Sequence, residues 1–182
     1  YQEEDHQDGL AHFLEHMCFN GTKNFPGKNM LEYLQSIGAE FGRNINASTG
    51  FEVTQYMLNN IPITRESIID SCLLVLHDWS HFVTCDPAEI DAERGVIIEE
   101  RRSHDGPDWR MFEASLPYLY GDAPYAKRTL IGSYEQLKTF KHESLTDFYH
   151  KWYNPDMQAV IVVGDVDVDA IEAKIKSIFA DI

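Results

Sequence analysis

The chain has 182 residues, with 15 Lys+Arg against 30 Asp+Glu and a formal net charge of −15. "ERR" (100–102) is too short to make a basic patch, so nucleic acid and anionic membrane are excluded as expected partners. Hydrophobic residues at 43%, with no low-complexity tract and no internal repeat, call for a single packed domain over 1–182 rather than disorder.

No apolar run nears the ~20 residues that a membrane-spanning helix needs. The longest, "SIIDSCLLVLHDW" (67–79), is broken by aspartates and a histidine. Cys18, Cys72 and Cys85 are odd in number and lack CxxC spacing, which argues against a disulfide framework. The chain starts at Tyr1 in a polar stretch, as expected of a piece of a longer multi-domain protein. Its compartment is therefore open; for a bacterial protein the expectation is periplasm or cytoplasm.

In chain order, "LAHFLEHMCFNG" has apolar residues at 10, 13, 14, 17 and 18, a helical period, with Gly21 as a stop. "GKNMLEYLQSIG" (27–38) repeats the pattern. "NINASTGFEVTQYMLNNIP" (44–62) turns β-branched and aromatic, and reads as two strands joined near Gly50 or as one broken there. "TRESIIDSCLLVLHDWSHFV" (64–83) is expected to be a long buried helix with Thr64 as N-cap. "DPAEIDAERGVIIEERRS" (86–103) starts a helix at Asp86, with Pro87 at the first position and Glu89 three after the cap.

"HDGPDW" (104–109) is expected to be the longest loop, followed by an aromatic helix over 107–121. "SYEQLKTF" (133–140) opens on a capping-box-like Ser133 and Gln136. "SLTDFYHKWY" (144–153) and "DVDAIEAKIKSIFADI" (167–182) are amphipathic helices, and "MQAVIVVGDV" (157–166) reads as a buried strand. The fold class expected is α+β, a mainly antiparallel sheet covered by helices.

The chemistry concentrates in "HFLEH" (12–16). Helical residues i and i+4 lie one above the other, so His12 and His16 can offer imidazoles to one ion, with Glu15 beside them. This is the H-x-x-E-H spacing, in which two histidines bind metal and the glutamate is general base on the activated water. Two histidines are too few for a catalytic zinc site, which usually takes three protein ligands at about 2.0–2.2 Å. By itself the pattern also fits an amphipathic helix with two exposed histidines.

The longer stretch "GLAHFLEHMCFNGTKNFP" resembles the active-site segment of the pitrilysin, insulin-degrading enzyme and mitochondrial processing peptidase family of zinc peptidases. "NASTGFEVTQYML" (46–58), "DAERGVIIEE" (91–100), "IGSYEQL" and "FYHKWYNPDMQAVIVVGDVD" are similar to its later motifs, in the same order from about residue 9 onward. The resemblance implies a processing-peptidase-like fold and Zn²⁺ held by His12, His16 and Glu100. It implies Glu15 as general base, Glu93 as a supporting carboxylate of the site, and peptide substrate added as a strand at Asn46, Ala47, Ser48 and Thr49. Glu99 is a rival ligand, but its side chain points about 100° away around the helix.

The chain departs from the family pattern at both ends. The family's first strands, which precede the HxxEH helix, are not supplied before Tyr1. A second homologous domain or subunit, which closes the cleft and adds an Arg/Tyr pair for the substrate, is implied as partner. The alternative function is a scaffold or presentation subunit that binds metal or peptide without cleaving, and a purely structural zinc domain is a third reading. His77 and His81 repeat the i, i+4 spacing without a glutamate between them and read as packing, as does Cys18.

Overall fold

The structure, a computed structural model, describes residues 2–182. In chain order the elements are α1 (Leu10–Met17), α2 (Asn29–Ser36), β1 (Ile45–Thr49), β2 (Thr54–Leu58), α3 (Ser67–His81), α4 (Pro87–His104), α5 (Pro107–Tyr120), α6 (Tyr134–Thr139), α7 (His142–Trp152) and α8 (Val168–Ile178). The class is α+β, with a two-stranded antiparallel sheet among the described residues. The turn between its strands is closed by Gly50 N–H donating to Val53 O at 2.8 Å. The chain forms two compact units: one gathers the chain up to Met17, Ala47–Gln55 and Cys85–Tyr149, and the other Cys18–Asn46, Tyr56–Thr84 and His150–Ile182.

In the first unit, α1 buries Leu10, Phe13, Leu14 and Met17 on one side, each at 0–1% exposure. At roughly 1.5–3 kcal/mol per fully buried large side chain, that face fixes the rotation of the helix about its axis. Its start is pinned by backbone against backbone. Gly9 and Gly132 both have positive φ, at 86° and 79°, and a Cβ on either would lie 2.6 Å from the other segment's backbone. Glu3 Oε1 accepts from Ala11 N–H at 2.8 Å, satisfying one of the orphan donors of the first turn.

Phe13 packs edge-to-face on Phe140, centroids 4.8 Å apart. Arg94 of α4 lies over the same ring at 3.9 Å and donates to the Leu137 and Phe140 carbonyls at 2.8 Å each. This arginine therefore satisfies the carboxyl end of α6 and ties α4 to the ring against which α1 rests. At its own start α4 behaves as its sequence requires, with the Asp86 carboxylate accepting from Ala88 N–H at 2.8 Å and Pro87 next in line.

In the second unit the Asp78 carboxylate, fully buried, accepts from Thr22 Oγ1 at 2.6 Å, Asn24 N–H at 2.8 Å and Asn24 Nδ2 at 2.7 Å. A carboxylate taken out of water needs several such donors. Trp79 Nε1 donates to Cys18 O at 2.8 Å, so neighbouring residues of α3 hold the chain that follows α1.

Three expectations are corrected. Residues 157–166 form no ladder: Pro155–Met157 is a 3₁₀ turn, Gln158 is extended, and Ile161 and Val163 are 80% and 91% exposed. An apolar β-branched run specifies an extended backbone, but a strand also requires a hydrogen-bonding neighbour, and none lies beside this run among the described residues. The expected loop at 104–109 shrinks to Asp105 and Gly106, because α4 runs to His104 and α5 begins at Pro107 with Gly106 as its N-cap. Thr64 is not a cap. Its N–H turns back to Pro62 O at 3.0 Å, and α3 begins at Ser67 after Glu66.

Candidate metal centre

All the residues that converge on the candidate centre belong to the first unit. The buried face of α1 leaves His12 and His16 one turn apart on another side, their rings in edge contact at 4.8 Å between centroids. On α4, Ile90 and Ile97 are both fully buried, and Glu93 and Glu100 share their own seven-residue spacing, two turns apart on one face.

His12, His16 and Glu100 bring one ligand atom each to within 4.8 Å of one another. Glu100 Oε1 lies 3.6 Å from His12 Nε2, and Glu100 Oε2 lies 3.3 Å from His16 Nε2. An ion with ligands at ~2.1 Å in a tetrahedron separates them by ~3.4 Å, and each imidazole lies near that distance from one oxygen of the Glu100 carboxylate. Of the atoms facing one another here, Glu100 Oε2 is buried and lacks an aligned hydrogen bond, despite lying 3.3 Å from His16 Nε2. Polar atoms that converge without bonding geometry fit an ion between them better than they fit a salt bridge.

His16 Nδ1 lies 2.9 Å from Glu93 Oε1. That bond keeps the proton on Nδ1 in neutral imidazole and leaves the Nε2 lone pair for a ligand role. Burial works against charge on His16, but the Glu100 and Glu93 carboxylates beside it outweigh that and raise its pKa to about 9. Burial and the neighbouring His16 push His12 down to about 4, so it is a neutral imidazole at ordinary pH. Glu100 is held low by His16 close beside it, against the pull of burial.

Glu15 is 9% exposed. Burial raises its pKa, and a hydrogen bond from Thr49 Oγ1 to its Oε2 works the other way. Glu99, the rival carboxylate, is exposed and pairs with Arg102 at 2.6 Å, away from the histidines. Among the proposed substrate residues, Ala47 and Thr49 are half-buried and Asn46 and Ser48 exposed, the alternation expected of a strand with one covered face. Ala47, Ser48 and Thr49 fall in the first unit and Asn46 in the second.

His77 is buried between Asp78 Oδ1 at 3.2 Å and Asp181 Oδ1 at 2.8 Å and stacks on Phe82, while His81 Nδ1 faces Tyr153 O at 3.2 Å. Two supports escaped sequence reasoning. Glu3 lies eight residues from the helix it caps, and no local motif marks it. The Thr49 hydroxyl reaches Glu15 across 34 positions of sequence, although its place in the strand opposite Thr54 was legible.

A carboxylate and two imidazoles around one point, with a second carboxylate buried beside them, make a centre suited to metal-assisted hydrolysis. The chain belongs to the Insulinase family (Peptidase family M16), whose model matches residues 1–127. Residues 139–182 match a second model, described as Peptidase M16 inactive domain. The probable zinc protease PqqL of Escherichia coli K12 is 40% identical over 175 residues, 96% of this chain but 19% of that protein.

The crystal structure of the first half of the periplasmic protease PqqL from Escherichia coli superposes with a TM-score of 0.92 at 39% identity, covering the whole of this chain and 38% of that one. Pitrilysin shares the fold, with a TM-score of 0.79 at 22% identity over 98% of this chain and 19% of that one. The chain thus spans about a fifth of the length of the curated relatives named here.

Proposed function

We propose that this chain is the metal-binding part of a zinc-dependent endopeptidase, with Zn²⁺ on His12, His16 and Glu100 and Glu15 as general base. The observation that carries the reading is the convergence of those three side chains, one ligand atom from each within 4.8 Å of the others, with Glu15 one position from His16 on the same helix. When bound, the ion supplies Lewis-acid chemistry, acidifying water and polarising the scissile carbonyl. Glu15 takes the proton from the attacking water and returns it to the leaving amine. Glu93 holds His16 in the tautomer that can ligate. The substrate backbone adds as a strand along β1 at Asn46, Ala47, Ser48 and Thr49, which gives affinity without demanding one sequence.

The chain is one peptidase domain in this reading, within a longer protein whose second homologous domain closes the cleft. We extend to it the periplasmic location of its structural relative, which fractionation of the full-length protein tests. The family model described as an inactive domain favours a second reading, a domain that binds metal or peptide without cleaving. That match covers residues 139–182, which hold none of the proposed ligands or the base.

Metal analysis of the full-length protein, with peptide cleavage by wild type and Glu15→Gln, separates the two. Endopeptidase function requires a zinc-loaded Glu15→Gln variant with cleavage lowered roughly 10²–10⁴-fold. Bound zinc with no Glu15-dependent cleavage selects the scaffold reading.

A further inference from the structure

We infer that Thr49 is the positioning residue of Glu15, and that Thr54 in turn orients Thr49, so that two hydroxyls of the hairpin aim the general base. The inference rests on the peptidase reading and adds to it. There the residues of β1 serve the substrate through their backbone; here the Thr49 side chain serves the base.

The geometry has a direction. Thr49 Oγ1 donates to Glu15 Oε2, because an ionised carboxylate only accepts. A hydroxyl has a single proton, so Thr49, having spent its own on Glu15, can meet Thr54 Oγ1 at 3.4 Å only as acceptor. The donor order is therefore Thr54 to Thr49 to Glu15. The Gly50 to Val53 bond at the turn sets Thr49 and Thr54 opposite each other on β1 and β2. Cross-strand pairs of threonines are stabilising in their own right and fix each other's rotamers.

The need for such a device follows from burial. Glu15 is nearly enclosed and its charged form is penalised by loss of water. A carboxylate in that setting, with no fixed donor, is free to turn about its last torsion. The Thr49 bond engages Oε2 and leaves Oε1 as the oxygen that can accept a proton. A β-branched threonine suits the task better than serine in one respect only: its χ1 is stiffer. The essential group is the hydroxyl.

The test uses the full-length protein carrying Thr49→Val, Thr49→Ser or Thr54→Val. Thr49→Val is close to isosteric and deletes only the donor. The expected result is a fall in kcat of about 10–100-fold with KM and zinc content unchanged, recovery to within about threefold in Thr49→Ser, and a smaller loss in Thr54→Val. A kcat retained by zinc-loaded Thr49→Val overturns the inference. A rise in KM alone also overturns it and makes Thr49 a substrate contact.

Crystal structures of wild type and Thr49→Val give a readout independent of activity. The inference requires Glu15 Oε2 on the Thr49 hydroxyl in the first and a displaced carboxylate in the second, and an unmoved carboxylate refutes it. Should the wild type show no Glu15-dependent cleavage, the peptidase reading fails, while the two structures still decide whether Thr49 holds Glu15.

Discussion

Glu93 Oε1 lies 2.9 Å from His16 Nδ1, on the side of the ring opposite the nitrogen that faces Glu100. The two carboxylates of α4 thus grip one imidazole from both ends. Replacing Glu93 with Gln keeps the shape of the side chain but removes its charge. The zinc dissociation constant of Glu93→Gln should rise about 10–100-fold, measured by competition with a chromophoric chelator. Unchanged affinity together with unchanged activity rules out a supporting role for Glu93.

The adjacent acidic residues Glu99 and Glu100 make a sharp internal control. Glu100 stands against both histidines, whereas Glu99 pairs with Arg102 on the exposed side. Glu100→Gln should lose stoichiometric zinc by elemental analysis, and Glu99→Gln should keep it. The reverse result would transfer the ligand role to Glu99.

The two histidines together should favour the metal-free fold most near pH 6.5. His16 has a folded pKa of about 9, above its ordinary 6.5, so its contribution is complete below about 6.5 and is lost as pH rises through 9. His12 has a folded pKa of about 4, below 6.5, so it destabilises the fold as pH falls from 6.5 towards 4. Thermal melts across pH 4–10 in chelator should show both limbs. His16→Gln should flatten the alkaline limb, and a limb that persists unchanged assigns it to other groups.

Gly132→Ala should be costly far from any ligand. Its Cβ would lie 2.6 Å from Asp8 O, at a φ of 79° that non-glycine residues rarely adopt. A loss of about 1–3 kcal/mol is expected from the backbone conformation alone, with more from the clash. Denaturant unfolding measures it, and zinc affinity should fall in parallel because the start of α1 moves. Wild-type values for both would show that the approach of Gly9 to Gly132 is not needed.

The sequence was legible where a residue acts within a turn or two of itself. The Asp86 and Ser133 caps, the apolar face of α1 and the seven-residue spacing on α4 are local statements, and the folded chain carries them out. The helix start at Pro107 was legible too, since Pro favours the first helical position, while the loop expected over 104–109 was drawn too long on both sides.

The run at 157–166 failed for a different reason. Val160, Ile161, Val162 and Val163 declare a preference for extended backbone, but pairing is decided by what lies alongside. The same limit hid the Thr49 bond to Glu15 and the Glu3 cap on α1, where the partners are 34 and eight positions apart.

The contact between Gly9 and Gly132 sets an order of events during synthesis. The histidines of α1 leave the ribosome early, yet the backbone that fixes the first turn of their helix arrives only with Gly132. Until then, α1 has the Glu3 cap but not the backbone packed against Gly9. A nascent chain halted before this point should therefore hold added zinc more weakly than one extended past it.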